Sequence, residues 1–258
     1  PFPVGSLLQQ ADGRLLVGMM YDDYQHSVDD AIVRLHENGM RDTSFRSTDL
    51  FRAMGYPTVS ALAFDSTGRV WVGGTFDGCQ GIGKNDLIRL LPDGSVDASF
   101  NPSLSANGVV TTLHPTPEGK VYLIGDFSGY DDFRTHGICR LLGTGSLDTS
   151  FSLTPGPAGG YISTMALQTD GKPIVIGAFT KMNGVAHKYI ARLNTDGSLD
   201  TAFATGLGTD YSGRINMVDL YVDGRVLIVG DFDSYDGVAQ NGIARLHPDG
   251  SLDTSFEP

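Results

Sequence analysis

A 42-residue unit occurs five times in this chain without insertion or deletion, and it constrains the fold more than any other feature. Each copy begins at an apolar residue and ends at a phenylalanine. A period of roughly 50 residues is typical of propellers, solenoids and linear arrays. Because one such unit cannot bury its apolar face alone, the repeats predict a single domain over residues 1–258. The repeat cores are 4–45, 59–100, 110–151, 162–203 and 215–256.

The last copy shows how one repeat folds. Strand-like stretches at 215–221, 225–232 and 242–246 are joined by turns, two of which are Asp-Gly pairs, the strongest short hairpin signal. The closing segment must return to the other end of the sheet, so it acts as a fourth strand. The sequence therefore predicts an all-β, five-bladed β-propeller with about four antiparallel strands per blade. A parallel β-helix is the alternative, but its rungs are shorter and lack paired Asp-Gly hairpins.

The repeats resemble the delta-60 repeat family of bacterial proteins. The fourth copy carries the signature as Arg192-Leu193, Asp196-Gly197-Ser198-Leu199-Asp200 and Phe203, preceded by Asp170-Gly171-Lys172 and Gly177-Ala178-Phe179. The first copy departs most, with Met19 and Tyr21 in place of the Gly and Phe of Gly-x-Phe. The resemblance implies a WD40-like propeller from a secreted or cell-surface protein and implies no particular chemistry.

Three recurring positions predict structural roles. An arginine precedes an aspartate by eight residues in every copy, as in Arg192 and Asp200, and we expect the pair to fasten the hairpin between them. The glycine of Gly-x-Phe indicates close backbone approach, and its phenylalanine indicates a core residue. Three residues later, a mixed set indicates packing under a loop rather than a ring of binding tyrosines: Tyr24, Cys79, Tyr130, Met182 and Tyr235.

The charge and composition narrow the function classes. The net charge is −12, with 27 Asp against 3 Glu, and the chain has no basic stripe, so we expect no nucleic-acid partner. No apolar run is long enough to span a bilayer, which predicts no membrane insertion. Cys79 and Cys139 occupy non-equivalent positions and are predicted to be free thiols. The chain begins at Pro1 without Met, which indicates a piece of a larger parent protein.

The predicted ligand site lies among loops of variable sequence. Strand alternation places the tight Asp-Gly turns on one face and the second-to-third-strand loops and spacers on the other, where binding residues concentrate. Flat rings beside polar groups suit a sugar or a peptide, although the same rings also serve to cap blade ends. The candidate ligand-binding residues are Tyr56, Phe133, Tyr161, Tyr189, Tyr211, His136 and His187.

Two alternatives rest on aspartates. Asp126 and Asp231 occupy equivalent positions and would be the acid–base pair of a polysaccharide-acting hydrolase or lyase. Asp231, Asp233 and Asp236 offer three carboxylates on one short loop, a candidate calcium site that lacks the full EF-hand spacing. The main prediction includes no cofactor and no metal.

The sequence thus predicts a non-enzymatic recognition or adhesion module on a bacterial secreted or cell-surface protein. Its partner would be a glycan or a cell-surface protein. A polysaccharide-acting enzyme and a structural or oligomerisation module of a larger assembly are the alternatives.

Overall fold

The fold is all-β. The computed structural model describes residues 3–20, 27–46, 48–51, 57–83, 85–102, 109–127, 129–130, 133–134, 137–206, 208–209 and 214–256, and it contains no helix within them. Consequently, no described helix has the length and apolarity to cross a membrane.

The described residues contain twenty-five short strands, and the longer buried ones, such as Val70–Thr75 and Val121–Asp126, are rich in β-branched or aromatic residues. In chain order they are β1 (Val4–Gln9), β2 (Leu15–Met19), β3 (Ser27–Leu35), β4 (Thr48–Phe51), β5 (Thr58–Phe64), β6 (Val70–Thr75), β7 (Gly78–Cys79), β8 (Ile82–Gly83), β9 (Leu87–Leu90), β10 (Val109–Pro115), β11 (Val121–Asp126), β12 (Gly129–Tyr130), β13 (Phe133–Arg134), β14 (Ile138–Leu141), β15 (Pro157–Ala158), β16 (Ile162–Leu167), β17 (Pro173–Gly177), β18 (Lys181–Met182), β19 (Val185–Ala186), β20 (Ile190–Arg192), β21 (Arg214–Leu220), β22 (Val226–Asp231), β23 (Ser234–Tyr235), β24 (Val238–Ala239) and β25 (Ile243–Leu246).

Each repeat contributes three antiparallel strands that are neighbours in one sheet, and the sheet of the first repeat extends further through β4 to β7 and β8. These sets of three are β1-β2-β3, β5-β6-β9, β10-β11-β14, β16-β17-β20 and β21-β22-β25. The closing segment pairs with the third strand through a single bridge, such as Leu90 to Val96. In the first repeat β4 adds a fourth strand to β3. Apart from β4 in the first repeat, the closing segment thus contributes one bridge in place of the expected fourth strand, and the described sheets of the other repeats have three strands rather than about four.

The chain divides into two compact units, Pro1–Asp148 and Thr149–Pro258. The first unit holds the first three repeats apart from the closing residues of the third, and the second unit holds the last two repeats. The expected single domain over 1–258 stays a prediction.

The neighbouring backbone leaves room only for glycine at the first position of Gly-x-Phe. A Cβ on Gly74 would lie 1.9 Å from the carbonyl oxygen of Thr58, and one on Gly125 would lie 1.8 Å from that of Val109. The phenylalanine that follows is buried, as with Phe76. Both predicted roles are confirmed.

The recurring Arg–Asp pair fastens each hairpin as predicted. In all five repeats the arginine Nε donates to the aspartate Oδ2 at 2.7–2.8 Å. Three of the arginines also reach the following repeat, which the sequence did not indicate. Their Nη1 atoms donate to main-chain carbonyls: Arg34 to Pro92 at 3.0 Å, Arg89 to Gly143 at 2.6 Å and Arg192 to Pro248 at 2.6 Å.

The loops between second and third strands do not project from the opposite face as expected. In repeats two, four and five each loop folds into a two-stranded ribbon closed by a two-residue turn, as at Asn183-Gly184, where both residues have positive φ. The ribbon then reaches back to the Asp-Gly-Ser turn of its own repeat. Three side chains donate to its glycine carbonyl: Gln80 to Gly94 at 2.9 Å, Asn183 to Gly197 at 3.2 Å and Tyr235 to Gly250 at 3.1 Å.

These ribbons are fixed to the preceding spacers. β7 pairs with β4, β18 pairs with β15, and Thr209 bridges to Tyr235. The side chains of Cys79, Met182 and Tyr235 are fully buried beneath this arrangement. Where the structure describes the side chain, the position three residues after Gly-x-Phe is therefore a packing position, as predicted.

Candidate functional site

Exposed polar and aromatic residues lie where the first strands of repeats four and five begin, and these two strands pack against each other. Tyr161 directly precedes β16, and Arg214, which holds the same repeat position, begins β21. The Tyr161 side chain is 61% exposed, and Arg214 is also exposed. The carbonyl of Tyr161 accepts the amide of Ala178 at 2.9 Å, so its backbone is held in place.

Two further polar residues complete what we call the strand-end patch: Tyr161, Arg214, Asn216 and Asp231. Asp231 ends β22 directly opposite Arg214 in the strand register. Its Oδ2 accepts a hydrogen bond from Asn216 Nδ2 at 3.2 Å, and both residues are exposed. All four residues belong to the second unit.

The patch offers three kinds of contact. The Tyr161 ring presents a flat apolar face with a hydroxyl at its edge. Arg214 supplies a guanidinium donor fork, and the Asn216–Asp231 pair supplies further donors and acceptors. This combination suits a ligand with one apolar face and a polar edge.

Tyr189 and His187 lie elsewhere and are partly buried. Tyr189 has a φ of 67° and packs against the core cluster of the second unit. Its carbonyl oxygen accepts the amide of Gly177 at 3.0 Å. His187 Nδ1 lies 3.1 Å from the hydroxyl of the buried Thr205, and burial lowers the pKa of the imidazole. Both residues are thus partly engaged by the surrounding chain, and their place among the ligand-binding residues stays a prediction.

The structure does not describe the side chains of the four remaining ligand-binding candidates. Tyr56, Tyr211 and His136 lie outside the described residues. For Phe133 only the backbone is described, within β13.

The alternative catalytic carboxylates occupy equivalent places in separate units. Asp126 is exposed at the end of β11 in the first unit, and Asp231 is exposed at the end of β22 in the second. Asp231 is engaged by Asn216 rather than by another carboxylate.

The main chain of two of the alternative calcium ligands takes part in local hydrogen bonds. Asp236 adopts a φ of 49° in the ribbon turn, and its amide donates to the carbonyl of Gly208 at 2.8 Å. The carbonyl of Asp233 accepts the amide of Gln240 at 2.8 Å. Among the residues that the structure places, no group of three or more His, Cys, Asp or Glu side chains is arranged to hold a metal ion.

Sequence reasoning missed Arg214 and Asn216. A signal was present, because the fifth repeat opens its first strand with Arg-Ile-Asn where the second has Thr58-Val59-Ser60. A charged residue and an amide flanking the conserved apolar position of the repeat mark that strand end as unusually polar.

The five repeats, their antiparallel sheets and their turns define a β-propeller repeat protein. Sequence comparison gives the family: residues 10–45, 66–100, 116–151, 168–203 and 223–256 match the family described as a β-propeller domain of unknown function, DUF5122. These stretches cover more than half of the chain, which therefore belongs to this family. The narrower resemblance to delta-60 repeats stays a prediction. A search of curated proteins finds no match.

Solved structures with similar folds come from several settings. PorZ, an essential surface component of the type-IX secretion system of Porphyromonas gingivalis, is 13% identical with a TM-score of 0.55, and the match covers 98% of this chain and 34% of PorZ. The extracellular domain of a putative hybrid two-component system from B. thetaiotaomicron is 14% identical with a TM-score of 0.51, covering 98% and 33%.

An enzyme also shares the fold. Virginiamycin B lyase from Staphylococcus aureus is 11% identical with a TM-score of 0.54, and the match covers 98% of this chain and 83% of the lyase. At these identities the likeness shows the fold alone. This chain spans about a third of PorZ and of the two-component system domain.

Proposed function

We propose that this chain is a non-catalytic recognition module of a bacterial extracellular or cell-surface protein, and that its strand-end patch binds a glycan. The observation that carries the proposal is the Tyr161 side chain, 61% exposed at a strand end whose backbone is held by hydrogen bonds. Most other large aromatic side chains among the described residues are buried or pack under loops.

The choice of a glycan follows from the groups around that ring. A pyranose presents an apolar face of C–H groups and an edge of hydroxyls. The Tyr161 ring suits the face, while Arg214, Asn216 and Asp231 suit the hydroxyls because they supply both donors and acceptors. A peptide with an aromatic or proline residue beside an acidic group is the second ligand class that this chemistry suits.

Solved proteins of similar fold support the proposed extracellular or cell-surface location. PorZ is a bacterial surface component, and the B. thetaiotaomicron protein contributes an extracellular domain. A rigid repeat scaffold with a polar and aromatic strand end is consistent with such a setting.

A glycan array tests the proposal. The purified chain is applied to a broad array in buffer with calcium and again with EDTA. Saturable signals that EDTA leaves unchanged would support a metal-independent site at the patch. Signals abolished by EDTA would instead favour the calcium alternative at Asp231, Asp233 and Asp236. The variant Asp233→Asn distinguishes the two sites, because Asp233 belongs to the calcium alternative and not to the strand-end patch. An array without signals would contradict glycan binding and favour a protein partner.

The second candidate function is a polysaccharide hydrolase or lyase using Asp126 and Asp231. Its support is the exposure of both carboxylates at strand ends, together with the occurrence of a lyase on this fold. Release of reducing ends or unsaturated products from array-positive polysaccharides would support it. Product release that survives Asp126→Asn combined with Asp231→Asn would exclude these residues as the catalytic pair.

A further inference from the structure

Arg214 of the strand-end patch is unusual among the arginines of this chain because it forms no ion pair. Most arginines whose side chains the structure describes are paired with an aspartate: Arg14, Arg34, Arg41, Arg69, Arg89, Arg140, Arg192, Arg225 and Arg245. Among the described side chains, only Arg46 and Arg214 lack such a partner, although the chain contains 27 aspartates. The Arg214 guanidinium is thus exposed and available for a contact from outside the chain.

The residue directly opposite Arg214 is itself an aspartate. Asp231 is the Cα partner of Arg214 across β21 and β22. Opposite charges in such a cross-strand pair are normally close enough to interact. The Asp231 carboxylate instead accepts a hydrogen bond from Asn216 Nδ2 at 3.2 Å. The fifth repeat therefore places an acceptor beside the arginine and engages it with a different side chain.

The side chain at position 216 explains this arrangement. In the third and fourth repeats the equivalent residues are Thr111 and Ser163, whose hydroxyls donate to main-chain carbonyls of the neighbouring strand at 3.1 Å. These short side chains bond locally, at the bulge near the start of the first strand. Asn216 is longer and reaches Asp231 at the end of β22. The departure from Ser or Thr at this position accordingly accompanies an unpaired arginine two residues earlier.

A guanidinium fork that lies free in a ligand site is suited to a planar or tetrahedral oxyanion, which it can bind through two parallel hydrogen bonds. The strand that carries Arg214 packs against β16, which begins directly after Tyr161. A sugar stacked on the Tyr161 ring would therefore have Arg214 on the adjacent strand. An acidic substituent on that sugar, or on its neighbour in the glycan, is the group that Arg214 fits best.

We propose that the strand-end patch selects acidic glycans, with Arg214 binding a carboxylate or sulfate group of the sugar. This inference rests on the proposed function, because it narrows the ligand class from glycans in general to those with a negative charge. Carboxylate and sulfate share the chemistry that the guanidinium recognises, and the two are distinguished by the ligands used in the test.

The charge of the whole chain makes this selection depend on one side chain. A net charge of −12 opposes the approach of anions in general, so the attraction must come from a local cation. Asp231 lies opposite Arg214, and its negative charge opposes an acidic ligand. Asp231→Asn removes that charge and keeps a carbonyl oxygen that can accept from Asn216. Arg214→Gln and Asp231→Asn should therefore change acidic-glycan binding in opposite directions.

An array of matched glycan pairs, read in EDTA so that calcium does not bridge the ligand to the protein, tests the inference. Each uronate polysaccharide is printed beside its carboxyl-reduced form, and each sulfated glycan beside its desulfated form. The wild type is expected to bind one kind of acidic member at least about tenfold more strongly than its neutral partner, because a hydrogen bond to a charged group is lost in the neutral form. The kind of pair that shows this preference identifies the oxyanion.

The ratio of acidic to neutral signal is compared among three variants, because a ratio does not depend on the fraction of folded protein. Arg214→Gln should reduce the ratio to about one, and Asp231→Asn should raise it. Arg46→Gln is the matched control: Arg46 is also exposed and without an ion pair among the described residues, but it belongs to the first unit. Its loss removes the same charge from the chain and should leave the ratio unchanged.

The outcomes separate this inference from the proposed function. Equal wild-type signals from acidic and neutral partners, or an acidic preference that survives Arg214→Gln, would overturn the inference and leave glycan binding by the patch in place. An Asp231→Asn variant that loses the acidic preference would overturn it as well, since removing the opposing charge would then have acted in the wrong direction. An array without any signal would contradict glycan binding itself.

Discussion

Arg89 joins two repeats through one guanidinium. Its Nη1 donates to the carbonyl of Gly143 in the following repeat at 2.6 Å, while its Nε donates to Asp97 in its own repeat at 2.8 Å. The guanidinium also stacks on Phe100 at 5.0 Å and Trp71 at 5.1 Å from the ring centroids. A single buried side chain therefore fastens the hairpin and the inter-repeat contact together.

We expect Arg89→Ala to lower the free energy of unfolding of the first unit by about 3–5 kcal/mol, because it leaves the buried Asp97 carboxylate without its main partner. Trp71 is the only tryptophan and lies in the same repeat, so its fluorescence during urea unfolding measures the effect. Arg69→Ala is the control: Arg69 is 38% exposed and lies 3.5 Å from Asp97, so its loss should cost less than about 1 kcal/mol. Equal losses for the two variants would contradict the role given to Arg89.

Gly74→Ala should be strongly destabilising, by about 3 kcal/mol, since its Cβ would lie 1.9 Å from the Thr58 carbonyl oxygen and the backbone would have to move. Gly83→Ala in the same repeat is the matched control, because nothing lies within 4 Å of its Cβ, and we expect a change within about 0.5 kcal/mol. Urea midpoints of both variants check this. A tolerated Gly74→Ala would show that the first and second strands do not approach as closely as described.

The Asp200 carboxylate makes the free energy of unfolding depend on pH in the acid range. Burial alone would raise its pKa, but hydrogen bonds from Lys172, the Ala202 amide and Arg192 outweigh it and lower the pKa below its ordinary value. Because the pKa is lower folded than unfolded, the contribution is present above the unfolded value of about 3.9 and is lost as pH falls through the folded value. The free energy of unfolding, measured from neutral to acid pH, should therefore decrease once the pH is below about 4. The Asp200→Asn variant should be less stable at neutral pH, and its free energy of unfolding should change less with pH in the acid range. A variant whose free energy of unfolding falls with pH as steeply as that of the wild type would contradict this.

Both cysteines should resist thiol reagents in the folded protein. Cys79 and Cys139 are free and buried, which confirms the predicted free thiols. Burial, with the nearby Asp49 charge, raises the pKa of Cys79 to about 12, and burial raises the pKa of Cys139. Ellman's reagent at about pH 8 should react with neither thiol until denaturant is added, because the thiolate is the reactive form. Rapid reaction of the native protein would show that one of these sites opens readily.

Local sequence chemistry predicted the repeat well. Asp-Gly turns, the Arg–Asp spacing and the Gly-x-Phe run act within one hairpin, where the residues that contact each other are close in sequence. The pairing of β4 with β7 and the bond from Arg89 to Gly143 join residues from different repeats. Such contacts depend on how repeats stack, which a single repeat pattern does not encode.

The site was predicted only in part for a related reason. The direction of the second-to-third-strand loops was taken from strand alternation, but turns such as Asn183-Gly184 fold them into ribbons that reach Gly197. The folding back of the ribbons covers Tyr235 and half-buries Tyr189, whereas Tyr161 stays exposed because it lies at the strand end. Aromatic composition alone does not distinguish a ring that packs from one that is presented to solvent.

Binding of Tyr161→Ala to a glycan array tests the central claim most directly, with Tyr221→Ala as the matched control. Tyr221 is a 38% exposed tyrosine of the same unit that stacks with Arg225 beside the tight Asp-Gly turn, away from the strand-end patch. We predict saturable wild-type signals that weaken at least about tenfold in Tyr161→Ala, equivalent to about 1.4 kcal/mol, and that persist in Tyr221→Ala. Wild-type signals that survive Tyr161→Ala unchanged would contradict the assignment of the strand-end patch as the binding site.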